Sequence, residues 1–117
     1  MTESLEHRTG TFPGSGGLSL AWQSWRPGGR APRAVVIAVH GLGDHSGLYA
    51  PGVEYLVPRG YAWYGFDLRG HGRSPGPRGH IRSWGEYRED LRAFLRFISG
   101  AEPGRPRFLL GNSLGGV

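Results

Sequence analysis

Phe108-Leu109-Leu110-Gly111-Asn112-Ser113-Leu114-Gly115-Gly116-Val117, the last ten residues of the 117-residue sequence, set Gly-x-Ser-x-Gly directly behind a short apolar run. Glycine on either side lets the backbone turn sharply where a Cβ would collide with its neighbours. A strand-to-helix turn of this kind lifts a serine hydroxyl out of the sheet. In a chain with 22 glycines the same pattern also arises by chance, as a tight turn with a solvent-exposed serine. The apolar approach favours the first reading, with Ser113 as nucleophile and Gly111 and Gly115 as the residues that permit the turn.

A second segment raises the weight of that reading. Ala34-Val35-Val36-Ile37-Ala38-Val39 is apolar at every position, as a central strand covered on both faces requires, and it runs directly into His40-Gly41-Leu42-Gly43. An oxyanion hole takes one backbone N–H from the residue after the nucleophile and another from the loop after an earlier strand. Leu114 and Leu42 occupy those positions. His40 is expected to be structural, bonding backbone and shaping the loop together with Gly41, rather than the catalytic base. Asp44 and His45 are adjacent and diverge, so no metal site is expected there. Gly41-x-Gly43 begins like a dinucleotide fingerprint, but Ser46 stands where the third glycine belongs, and no cofactor is expected.

Between and before these segments the pattern alternates strands and helices. Residues 8–12 and 18–25 suit an antiparallel pair with one solvated face, joined by the turn Pro13-Gly14-Ser15-Gly16-Gly17 and broken at Pro27-Gly28-Gly29. Pro51 suits a helix start, Val53, Leu56 and Val57 share a face, and Gly60 ends that helix. Tyr61 to Phe66 is a second buried strand, followed by a glycine-rich turn from Asp67 to Gly76 in which Asp67, Arg69 and Ser74 are expected to be scaffolding. Ser83 and Glu86 form a capping box, after which Trp84, Tyr87, Leu91, Phe94, Leu95 and Ile98 recur at helical spacing as core. Residues 102–107 are a linker, and 108–110 a third apolar strand. Strands alternating with helices require right-handed crossovers, so the last three strands should be parallel with their carboxyl ends on one edge, where ligand sites of open α/β sheets lie.

All 14 basic residues are arginine, and the net charge of +5 is spread among acidic residues without a like-charge block, so nucleic-acid binding is not expected. Without cysteine the chain has no disulfides, thiolate-bound metals or cysteine nucleophile. The polar start Met1-Thr2-Glu3-Ser4 lacks the features of a signal peptide, and no apolar run is long enough to span a bilayer, so a cytoplasmic location is the expectation.

Three blocks carry a family resemblance. They are residues 40–47 with Tyr49, residues 65–76 through Gly79-His80, and the turn at Gly111 to Gly115. In order and spacing they resemble the monoacylglycerol lipase and lysophospholipase group of α/β-hydrolases, also described as the serine aminopeptidase family. The resemblance implies an α/β fold, with antiparallel first strands and then a parallel β-α-β-α-β core ending at the nucleophile turn. It implies Ser113 as nucleophile, Leu42 and Leu114 as oxyanion donors, and Asn112 where a histidine is more usual. Substrates would be monoacylglycerols, lysophospholipids or other single-chain esters, reached by transient contact with a membrane surface and without a cofactor.

In this fold the acid and the histidine follow the serine in chain order, yet only Leu114-Gly115-Gly116-Val117 follow Ser113. Residues 1–117 are therefore expected to form an incomplete domain, lacking lid, acid and histidine, nearly inactive alone and leaving apolar sheet surface bare. Sister chemistries such as peptidase, acyltransferase or haloperoxidase share the same turn, and a noncatalytic module that binds acyl ligands or a partner is the reading from another class.

Overall fold

The structure, a computed structural model, describes residues 5–39, 50–69, 73–75 and 84–111. In chain order its elements are β1 (Leu5–Pro13), β2 (Ser19–Pro27), β3 (Ala34–Val39), α1 (Ala50–Leu56), β4 (Tyr61–Phe66), α2 (Trp84–Ala101) and β5 (Arg107–Gly111). The five strands form one sheet in the order β1-β2-β4-β3-β5. β1 and β2 pair antiparallel, β2 pairs antiparallel with β4, and β3 pairs parallel with both β4 and β5. The chain therefore has the α/β architecture expected of it, with the last three strands parallel.

β3 is buried along its whole length, which is what an unbroken apolar run achieves when strands flank it and helices cover both faces. On one face Val36, Ala38, Val53, Val57 and Trp63 pack under α1. On the other, Val35, Ile37 and Val39 join Phe12, Leu20, Tyr64, Phe66, Tyr87, Phe94 and Ile98 in a core led by α2. Its aromatics are set edge-on and tilted, with Phe12 against Phe66 at 5.3 Å and 88° and Phe66 against Phe94 at 4.7 Å, as ring quadrupoles favour.

The solvated face expected of the first pair lies on β1, where Leu5, His7, Thr9 and Thr11 are exposed. β2, paired on both edges by β1 and β4, is more covered, with Leu20, Ala21 and Ser24 buried. Near its end Arg26 reaches Glu102, whose carboxylate also accepts the Tyr64 hydroxyl at 2.8 Å. Burial first, and then the hydrogen bond and charge of Glu102, push the Tyr64 hydroxyl far above its usual range. The segment read as a linker thus begins with a buried polar anchor.

α1 ends as the sequence predicts. The chain tightens into a 3₁₀ turn over Val57–Arg59 and leaves it at Gly60 with φ +98°, the Gly60 N–H bonded to the Val57 carbonyl. A Cβ there would also lie 2.9 Å from Arg33 Cδ. Gly60→Ala is therefore expected to lower stability by about 1–2 kcal/mol, seen as a lower denaturant midpoint at unchanged m-value; an unchanged midpoint would contradict it.

β5 forms the open edge beside β3. Phe108, Leu109 and Leu110 are 59%, 57% and 45% exposed, so consecutive side chains on opposite faces of the strand are bare. Bare apolar surface was expected along one face of the parallel strands; β3 and β4 are buried, and the exposure falls on β5 alone.

Candidate active site

Parallel strands that end in register deliver their loops to one place. Val39 lies opposite Phe66 on one side and opposite Gly111 on the other, so β4, β3 and β5 finish level with one another. The two segments singled out in the sequence leave the sheet from adjacent strands, one after Val39 and one at Gly111, with Cα atoms of neighbouring strands about 4.8 Å apart. Of the candidate residues, Gly111 is the last of β5. His40, Gly41, Leu42, Ser113, Leu114 and Gly115 lie outside the described residues, as do Asp44, His45, His71, His80 and the capping serine Ser83.

The third strand end is described further. After Phe66, the Asp67 N–H bonds the Ala21 carbonyl at 2.8 Å, and the Asp67 carboxylate accepts the Arg73 N–H at 3.0 Å. Ser74 is fully buried; its hydroxyl accepts the Ala21 N–H at 2.8 Å and donates to the Asp67 carbonyl. Asp67 thus satisfies a backbone group, as expected of it, and together with Ser74, expected to be scaffolding, fastens the chain after β4 to β2.

Arg69 does more than close the turn. Its Nε donates to Asp90 Oδ2 at 2.7 Å and its Nη2 to Asp90 Oδ1 at 2.8 Å, a two-point fork; Nη2 also reaches the Ser15 carbonyl at 2.9 Å and Nη1 reaches Glu86 at 3.3 Å. Asp90 Oδ1 in turn accepts the Ser15 N–H at 2.8 Å. The hydrogen bonds to Asp90 outweigh the cost of burial and raise the Arg69 pKa, so the guanidinium stays charged throughout. One ion pair, with Asp90 fully buried, thus joins the β1–β2 turn, the turn after β4 and the first half of α2 at the edge where the parallel strands end.

Sequence reasoning missed Asp90 as a structural anion. The signal was present: Asp90 shares a helix face with Tyr87, Leu91 and Phe94, and an acid on an apolar stripe requires a buried cation as partner. Tyr87, beside it, is raised above the usual tyrosine range by burial, partly offset by the Arg69 charge. Among the described residues no helix is long and apolar enough to cross a membrane.

Comparison with known proteins is consistent with this arrangement. Residues 30–117 match the family model described as "Serine aminopeptidase, S33". The chain is 38% identical over 106 residues to a monoacylglycerol lipase of Mycolicibacterium smegmatis, covering 91% of this chain and 38% of the relative. It is 33% identical to the monoglyceride lipase of Homo sapiens over 101 residues, covering 86% and 33%. Among solved structures it is similar to a cold-adapted esterase from an Arctic intertidal metagenomic library, with TM-score 0.75 and 28% identity over 96% of this chain and 52% of that one. A carboxyl esterase from Bacillus coagulans shares the fold with TM-score 0.81. The chain thus spans between a third and two fifths of the length of these two lipases.

Proposed function

The chain belongs to the serine aminopeptidase family of α/β-hydrolases, and on that premise we propose that it carries the nucleophile and oxyanion hole of a carboxylic-ester hydrolase. Single-chain esters of the monoacylglycerol or lysophospholipid type are the proposed substrates. The observation that supports the reading is the register of Val39 with Gly111, which ends two adjacent strands level with one another immediately before the Gly41-Leu42-Gly43 and Asn112-Ser113 segments of the sequence.

In the proposed chemistry the Ser113 hydroxyl attacks the ester carbonyl while the backbone amides of Leu42 and Leu114 hold the developing oxyanion. Each such donor contributes about 10²–10³ in rate, because it is aimed before reaction and does not reorganise during it. Collapse of the intermediate releases the alcohol and leaves an acyl group on Ser113, which water then removes. His40 is assigned to shaping the oxyanion loop, and Gly41, Gly111 and Gly115 to permitting the backbone path. Serine needs a base, and in this fold acid and histidine come after the nucleophile. Residues 114–117 contain neither, so the reading takes base and acid from the part of the fold that follows the nucleophile in the relatives.

Fluorophosphonate labelling tests the assignment. It is applied to a protein bearing these residues together with the part of the fold that supplies the acid and histidine, and the adduct is located by peptide mapping. The expected adduct is on Ser113; an adduct on any other residue would overturn Ser113 as nucleophile.

A further inference from the structure

At the opposite end of the same strands the chain builds a second surface. Arg33 immediately precedes β3, Arg59 stands two residues before β4, Arg107 opens β5 and Arg105 comes two residues earlier. Ala34 is in register with Tyr61 and Val35 with Arg107. The approaches are joined as well, with the Arg33 N–H on the Gly60 carbonyl at 2.8 Å and the Val35 N–H on the Pro106 carbonyl at 2.8 Å. The arginines therefore form a row across the amino ends of β4, β3 and β5, roughly 10 Å wide at strand spacing. Arg30 joins it, its Nη2 lying 3.6 Å from the position of a Cβ on Gly60.

All five arginines are exposed, but the Arg107 guanidinium donates to the Leu95 carbonyl at 3.2 Å and the Ser99 hydroxyl at 2.9 Å on α2, so Arg30, Arg33, Arg59 and Arg105 make up the surface. Of the acids at this end, Glu102 is buried against Arg26 and Tyr64, and Glu6 is taken by Arg8 and Arg26. Among the described residues, Arg33, Arg59 and Arg105 have no ion-pair partner. Two of them lie over tyrosine rings: Arg59 is 3.8 Å from the Tyr55 centroid and Arg33 is 5.5 Å from that of Tyr61, with Tyr55 itself 60% exposed.

We propose that this row is a docking surface for an anionic phospholipid bilayer. Guanidinium forks match phosphate oxygens two at a time, and an exposed tyrosine suits the headgroup layer, where its ring is half-immersed and its hydroxyl stays wet. Single-stranded nucleic acid would instead need open ring faces for base stacking, and arginine already covers one face of each tyrosine. Docked this way, the sheet stands with its carboxyl edge about 20 Å from the lipid, six residues at roughly 3.3 Å each.

The test is co-sedimentation of the full chain with vesicles of phosphatidylglycerol and phosphatidylcholine, against phosphatidylcholine alone, at low and high salt. Retention is expected only on the anionic vesicles and is expected to weaken with salt. Each arginine near an anionic leaflet contributes about fivefold to partitioning, so Arg33→Gln/Arg59→Gln/Arg105→Gln should lose roughly 10²-fold and Arg105→Gln alone about fivefold. Arg88→Gln/Arg92→Gln/Arg96→Gln removes the same charge from the exposed side of α2 and should stay within about twofold of the parent. Equal retention on phosphatidylcholine alone, equal losses in the two triple variants, or tighter binding to single-stranded RNA than to the vesicles would each overturn the proposal. The readout is binding, so failure here leaves the hydrolase reading standing.

Discussion

Assayed by themselves, residues 1–117 are expected to hydrolyse a short-chain nitrophenyl ester on the order of 10⁴–10⁶-fold more slowly than a relative with a complete triad. Serine, histidine and acid act as one unit: without a base to take its proton the serine hydroxyl is a weak nucleophile, and removing the serine or the histidine alone costs about as much as removing all three. The same logic gives an internal control. In a protein that contains the acid and histidine, Ser113→Ala should remove the catalysed rate; in the 117-residue chain it should change the residual rate by less than about threefold. Turnover by the short chain at rates typical of complete enzymes would refute the assignment, because a base would then have to lie among residues 1–112. Steady-state initial rates on both proteins suffice to decide.

The second large effect concerns stability. Asp90→Ala is expected to cost about 3–5 kcal/mol, because it leaves the largely buried Arg69 charge without its two-point partner and the Ser15 N–H without an acceptor. Arg69→Met/Asp90→Leu removes both charges and should recover much of the loss, since apolar side chains of similar volume do not carry the desolvation penalty. Denaturant titration of the two variants and the parent measures both quantities. An Asp90→Ala midpoint within about 1 kcal/mol of the parent would mean that the ion pair merely fills space. Arg92, exposed and paired only with exposed Glu89, supplies the contrast: losing it should be nearly silent.

What the sequence revealed, and what it hid, follows from range. β3, β4, the α1 stop at Gly60 and the aromatic stripe of α2 are written in local periodicity and in single residues with fixed backbone preferences, and each stands where that pattern puts it. The parallel pairing followed from connection handedness. The place of β2 was not local: its second edge pairs with β4, some forty residues later in the chain. The partners of Asp90 and Glu102 were hidden for the same reason, since Arg69, Ser15, Arg26 and Tyr64 come from other elements. Of the candidate site, the strand ends were legible, because the two glycine-bearing segments each follow a strand that ends at the same edge.

The strand order has a consequence for biosynthesis. β3 is the most completely apolar strand, yet both its neighbours, β4 and β5, are made after it. As the chain emerges from the ribosome, the β1–β2 hairpin can form at once, whereas Ala34 to Val39 must wait with two unsatisfied edges until the residues of β4 and finally β5 have appeared. Translation speed through residues 40–106, and the availability of chaperones that shield six apolar residues during that interval, should therefore govern soluble yield more strongly than the stability of the finished sheet.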